Sequence, residues 1–155
     1  MTPGESPARR PLDELDLALL RELERNGRMA ISQLAQRVEA AESTCHKRVN
    51  ALIDSGVITG FRAEVDPTAL GRPIEVLISI RVHPHARRSL GRFQAYLERL
   101  PESRHVYFLS GDRDFLVHVA VRDTEALREL VSDRISMREE VASTNTSLIF
   151  DHAPR

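Results

Sequence analysis

The sequence predicts an α+β chain of two unlike halves: a three-helix helix-turn-helix unit with a strand after it, then a ferredoxin-like β-α-β-β-α-β unit. Three observations carry this. Apolar residues recur at helical spacing in three short runs before Gly56, strict alternation replaces that period in most later segments, and residues 67–73 separate the halves with two prolines and Gly71.

Residues 1–11 hold three of the eight prolines with Gly4 and Ser6 and show no apolar period, which reads as a flexible leader. Leu12, Leu15, Leu19, Leu20 and Leu23 then mark a first helix, with Asp13 placed to cap it and Gly27 to stop it. In a short second helix Ser32 stands as cap and Ile31, Leu34, Ala35 and Val38 as the buried stripe. A third helix has the apolar set Cys45, Val49, Leu52 and Ile53, with Ser43 and Gly56 as its caps and His46, Lys47, Arg48 and Asn50 facing outward. Val57 to Val65 alternates as a hinge strand until Asp66-Pro67 breaks it. These signals set a helix-turn-helix domain over 12–65, a linker over 66–73 and a second domain over 74–155.

In that second domain Val76, Ile78, Ile80 and Val82 alternate as a strand, and Leu90, Phe93, Leu97 and Leu100 repeat as a helix up to Pro101. Residues 105–110 and 115–121 form a hairpin around Gly111-Asp112-Arg113-Asp114. Leu127, Leu130, Val131 and Ile135 supply a second helix, and Val141 to Phe150 a last strand. In this order both helices cover one sheet face. A unit of about 85 residues is marginal alone, so an apolar second face predicts a homodimer.

Composition narrows the function. The formal net charge of -1 excludes a uniformly cationic polyanion binder. Residues 1–65 balance nine Lys/Arg against ten Asp/Glu, and only the stretch from Ser43 to Arg62 leans basic. The lone Cys45 allows no intramolecular disulfide and fits a reducing cytoplasm. No segment is long and apolar enough for a membrane span, and residues 1–11 lack the apolar region of a signal peptide. His83-Pro84-His85 has no third ligand in sequence reach, so neither a metal nor another cofactor is expected. His118, mid-strand, reads as structural. With no nucleophile-base pair, phosphate loop or paired-carboxylate site, the chain is not expected to be an enzyme.

Four stretches, LDELDLALLRELERNGR (12–28), ISQLAQRV (31–38), RVNALIDSGVITGFRAEVDPTALG (48–71) and SGDRDFLVHV (110–119), together resemble the Lrp/AsnC feast/famine regulators over nearly the whole chain from Leu12. That resemblance implies a winged helix-turn-helix joined by a hinge strand to a ferredoxin-like sensor domain, dimers that often build octamers, and an amino acid or similar metabolite as effector. It implies that Ser43, Thr44, His46, Lys47, Arg48 and Asn50 lie near the bases or phosphates of double-stranded DNA. It also places the effector between protomers, near Gly111, Asp112 and Asp114 and near Thr144 and Thr146. One departure stands out. Where the family's turn before the third helix usually reads glycine, hydrophobic, serine, this chain has Glu39, Ala40 and Ala41, then Glu42.

The residues alone leave alternatives open. Two or three cations neutralise few phosphates, so the helical half could instead dock on protein. An arginine at position 48 could hold its helix to Asp54 or another carboxylate. Asp and Gly in a four-residue loop also serve turn geometry alone. A ferredoxin-like dimeric enzyme and a protein-only adaptor remain the competing classes.

Overall fold

In the computed structural model, residues 10–151 are described, and the chain divides into two compact units meeting between Glu64 and Val65. Most of the expected leader therefore lies outside the described residues.

The first unit holds α1 (Glu14–Arg25), α2 (Ile31–Arg37) and α3 (Glu42–Asp54). Asp13 caps α1 as expected, in a reciprocal capping box: Asp16 N donates to Asp13 Oδ1 at 2.9 Å, and Asp13 N donates to Asp16 Oδ2 at 3.2 Å. Leu19, Leu34, Ala35, Cys45 and Val49 form the core, with Leu15, Leu23, Ile31 and Val38 packed against it.

Several local expectations are corrected. Ser32 and Ser43 do not cap α2 and α3; both lie inside their helices, whose N-caps are Ala30 and Ala41 without side-chain bonds. Apolar packing, not a capping hydroxyl, sets where these helices start. Ile53 leaves the stripe and is 42% exposed. Gly27 and Gly56 each follow the C-cap of their helix, Asn26 for α1 and Ser55 for α3, but only Gly56, at φ 67, takes the left-handed conformation of a glycine stop. Residues 59–66 form no strand. Alternation makes that segment extended, but a strand also needs a hydrogen-bonding neighbour, and this segment has none among the described residues.

The second unit follows the expected order: β1 (Ile74–Val82), α4 (Leu90–Glu98), β2 (Ser103–Phe108), β3 (Phe115–Val121), α5 (Thr124–Glu129) and β4 (Val141–Leu148). A 3-10 turn over Pro84–Ser89 leads into α4, and α5 runs on as a π-helix over Leu130–Ser136. The sheet order is β2-β3-β1-β4, antiparallel throughout. Val76, Ile78 and Ile80 of β1 and Phe115, Val117 and Val119 of β3 share one core with Phe93 and Leu97 of α4 and with Leu130 and Ile135, so both helical segments cover the same face.

The opposite face is mixed, not apolar as expected. Leu77 pairs with His118 and Ser147, Ser79 with Leu116 and Asn145, and Arg81 with Ser143, while His105 pairs with His118 and Tyr107 with Leu116. The β-branched residues of β1 and β3 are spent on the helix-covered face, so the other face inherits the polar half of each alternation.

Candidate functional site

The outward face of α3 is built by the turn before it. Glu39 adopts φ 53, the left-handed conformation that a glycine takes without strain, and Ala41 then begins the helix. From this start Ser43, Thr44, His46, Lys47 and Asn50 are all exposed, while Cys45, Val49 and Leu52 turn inward. A groove of about 740 Å³ runs along Arg10, Asp13, Ser43, Thr44, Lys47, Arg48 and Ala51.

Arg48 behaves differently from its neighbours. Its Nη1 donates to Asp13 Oδ2 at 2.6 Å and lies 3.3 Å from Asp16 Oδ1. The guanidinium expected near DNA thus ties α3 to the start of α1, and the carboxylates involved are Asp13 and Asp16 rather than Asp54. Asp16 is fully buried and also receives Arg10, whose Nη1 stands 2.7 Å from Asp16 Oδ2. The Arg10 hydrogen bond holds the Asp16 carboxyl below the usual carboxylate range; burial opposes it, and the Asp13 amide and the Arg48 charge reinforce it. Sequence reasoning missed Asp16 as a hub. Its signal was the Asp13-x-x-Asp16 spacing, which brings the second carboxylate back toward the cap.

In the second unit, Gly111 takes φ 126 at the tip between β2 and β3. Asp112 is exposed; its carbonyl accepts from Arg81 Nε at 2.9 Å, which ties the loop to β1. Asp114 is partly buried, and its Oδ2 accepts from Val82 N at 2.8 Å, where the β1–β4 register shifts. The carboxylate expected near the effector thus already satisfies a backbone donor at a bulge. Thr144 and Thr146 pair with Ile80 and Ile78 and therefore point to the helix-covered side, where Thr144 Oγ1 lies 3.2 Å from Ser136 Oγ. Leu148 shares that side, but Phe150 lies beyond the strand and is almost wholly exposed. Asp114 N donates to Ile80 O, so within one chain the loop and the threonines flank β1 from opposite sides.

Among the described residues no group of three His, Cys, Asp or Glu is arranged to hold a metal. His83 and His85 stack with ring centres 5.1 Å apart. His118 lies 2.8 Å from Glu75 and stacks on His105; burial depresses its pKa, and Glu75 opposes the shift. No helix among the described residues is long and apolar enough to cross a membrane.

Residues 75–153 match the family model of the Lrp/AsnC ligand binding domain, and residues 12–59 match that of a winged helix-turn-helix DNA-binding domain. The chain belongs to the Lrp/AsnC family. Among its relatives, the HTH-type transcriptional regulator AldR of Mycolicibacterium smegmatis is 42% identical over 153 residues, covering 97% of this chain and 90% of AldR. The crystal structure of MtbAldR superposes with a TM-score of 0.76 at 38% identity, covering 93% of this chain and 97% of that one. A feast or famine regulatory protein from M. tuberculosis, complexed with L-methionine, gives a TM-score of 0.84 at 28% identity over 94% of this chain and 96% of its own. As a family member, the protein is a DNA-binding transcription regulator in which a winged helix-turn-helix reads DNA and the α+β unit is the ligand-binding domain.

Proposed function

We propose that α3 enters the major groove with Ser43, Thr44, His46, Lys47 and Asn50 at bases and phosphates. Arg48 serves there chiefly as the strut that seats the helix. The supporting observation is that these five side chains are exposed on one helix whose other side is locked into the core. Short hydroxyl and amide side chains with one lysine suit base edges and phosphates better than an apolar protein partner. The protein acts as a homodimer, with octamers built from dimers, in the cytoplasm. Two-fold symmetry then makes the operator an imperfect palindrome.

The effector reading is an amino acid or similar metabolite held near Gly111, Asp112 and Asp114 of one protomer and Thr144 and Thr146 near a subunit interface. Two features support it: the relative solved with L-methionine, and the separation of the two groups by β1 within one chain, which a second copy would overcome. Asp114 contributes through the loop shape that it fixes and through its remaining carboxylate oxygen. Enrichment of genomic fragments, followed by anisotropy titrations with and without each amino acid, tests both halves. Recovery of no enriched motif removes the α3 reading, and affinities unmoved by every amino acid remove the effector reading.

A further inference from the structure

The affinity of a protein for duplex DNA rises with the number of phosphates its cations neutralise. The first unit supplies few. In its described part Arg25 and Arg37 both pair with Glu22, Arg10 with Asp16, and Arg48 with Asp13 and Asp16. Among the described residues Arg21, Arg28, Lys47 and Arg62 stay outside ion pairs, against the equally unpaired Glu14, Glu24, Glu39, Glu42, Asp54 and Glu64.

The charge lies elsewhere. Between Glu75 and Glu98 the sequence holds no Asp or Glu, but four arginines and two histidines, all within residues 81–92. Pro84 opens a 3-10 turn over Pro84–Ser89 that runs into α4, and Ala86 and Phe93 are buried beneath it. With three residues to the turn, His85 and Arg88 fall on one side, and Arg92 follows one helical turn later. His85, Arg88, Ser89 and Arg92 accordingly line one depression of about 250 Å³, together with Glu139 and Glu140. Arg138 already claims Glu140, from Nη2 at 2.9 Å and from Nε at 3.2 Å. Arg87 and Arg88 are exposed and make no hydrogen bond or ion pair among the described residues, so each offers a full set of guanidinium N–H donors.

We propose that this face of the α+β unit, centred on Arg87, Arg88 and Arg92, is a second DNA contact, one that grips phosphates without reading bases. Charge complementarity selects the partner. Guanidinium groups bind phosphate through paired, charge-assisted hydrogen bonds. No large apolar side chain is exposed between Leu70 and Tyr107, so the face lacks the apolar anchors of a protein interface. Duplex beyond the bases that α3 would read thereby adds affinity independent of its sequence, and the α+β unit contributes to DNA binding directly.

Fluorescence anisotropy on the full chain tests it, with a short duplex carrying a selected site and with the same site flanked by several turns of arbitrary sequence, each over a range of salt. The variant is Arg87→Ala with Arg88→Ala; neither side chain has a partner to lose, and an unchanged melt checks the fold. The longer duplex is expected to show the steeper slope of log K against log salt. On it the double variant should lower that slope by about 0.9 for each arginine that meets a phosphate. The selected motif should stay as it is, and Arg87→Lys with Arg88→Lys should keep most of the slope. Equal slopes for wild type and double variant on the longer duplex overturn the proposal. So does a double variant whose DNA binding is intact but whose particles become smaller by light scattering, since the face would then hold a second copy. A wild type without any preferred motif, whose slope still falls in the double variant, sinks the α3 reading and upholds this one.

Discussion

Replacing Arg48 with alanine separates a strut from a DNA contact. In the native unit its guanidinium reaches Asp13 at 2.6 Å and the buried Asp16 at 3.3 Å. The first partner is half exposed, and such surface pairs contribute about 0.2–1 kcal/mol. The second is buried, where loss of a charged hydrogen bond costs about 1.5–3 kcal/mol, but Arg10 still serves Asp16 after the substitution. A total loss of about 1.5–2.5 kcal/mol is therefore expected, below the ~3–5 kcal/mol of a fully orphaned buried charge. In a small unit each kcal/mol moves the midpoint by about 4–8 °C, so calorimetry should show the N-terminal transition falling by about 6–20 °C. DNA affinity should fall for all sequences alike, with the slope of log K against log salt unchanged, because this charge is already neutralised within the protein. Arg48→Lys should recover only part of the loss, since the ammonium restores the charge but not the placement of Nη1 between Asp13 and Asp16. An unaltered midpoint with a slope smaller by about one would show that Arg48 contacts phosphate instead, and the strut argument would fail.

Lys47→Ala should do the opposite, leaving the melt unchanged and lowering the salt slope by about one for each site occupied. Glu39→Gly should stabilise the first unit by about 0.5–1 kcal/mol: relief of left-handed strain outweighs the added freedom of the unfolded glycine, and chemical denaturation reads it directly. Ala41→Ser should add about 1 kcal/mol by giving α3 the side-chain cap it lacks. His118 has a folded pKa below its unfolded value, so its contribution is complete above the unfolded pKa of about 6.5 and is lost as pH falls through the lower folded one; the stability of the second unit should drop across that window, and less steeply in His118→Gln. Asp16 follows the same sign in a more acid window, its contribution being present above an unfolded pKa of about 3.9 and lost below its depressed folded value, so Asp16→Asn should flatten acid unfolding there.

What the sequence made legible was what local periodicity and size determine. The β1 alternation named its buried residues correctly because inward positions on a helix-covered sheet tolerate little but Val and Ile. Asp13 was readable as a cap because its partner lies three residues away on the same turn. Ser32 and Ser43 misled because a serine near a helix start serves equally well one or two positions inside it. The hinge strand misled in another way, since alternation specifies an extended chain but not the neighbour that completes a ladder.

The two site residues whose roles changed most, Arg48 and Asp114, share a physical reason. Each meets its partner across more than thirty positions of sequence, Arg48 at Asp13 and Asp114 at Val82 N. Both are charged side chains on or beside the surfaces proposed to face DNA and effector, so composition assigns them to the ligand. The fold uses them first to hold those surfaces in shape: Arg48 fixes the seat of α3, and Asp114 closes the bulge that sets the tip of β1 against the loop at Gly111. A substitution at either position therefore tests geometry before recognition, whereas Lys47, Asn50 and Thr146, which have no such internal bond among the described residues, test the proposed recognition more directly. On that argument Asp114→Asn, which can still accept from Val82 N, should preserve the melt and isolate the charge; Asp114→Ala should lower it by about 1–3 kcal/mol through the unsatisfied amide, whatever the effector. Equal melts for the two variants would mean that the Val82 amide finds water, and the bulge-closing role of Asp114 would fall.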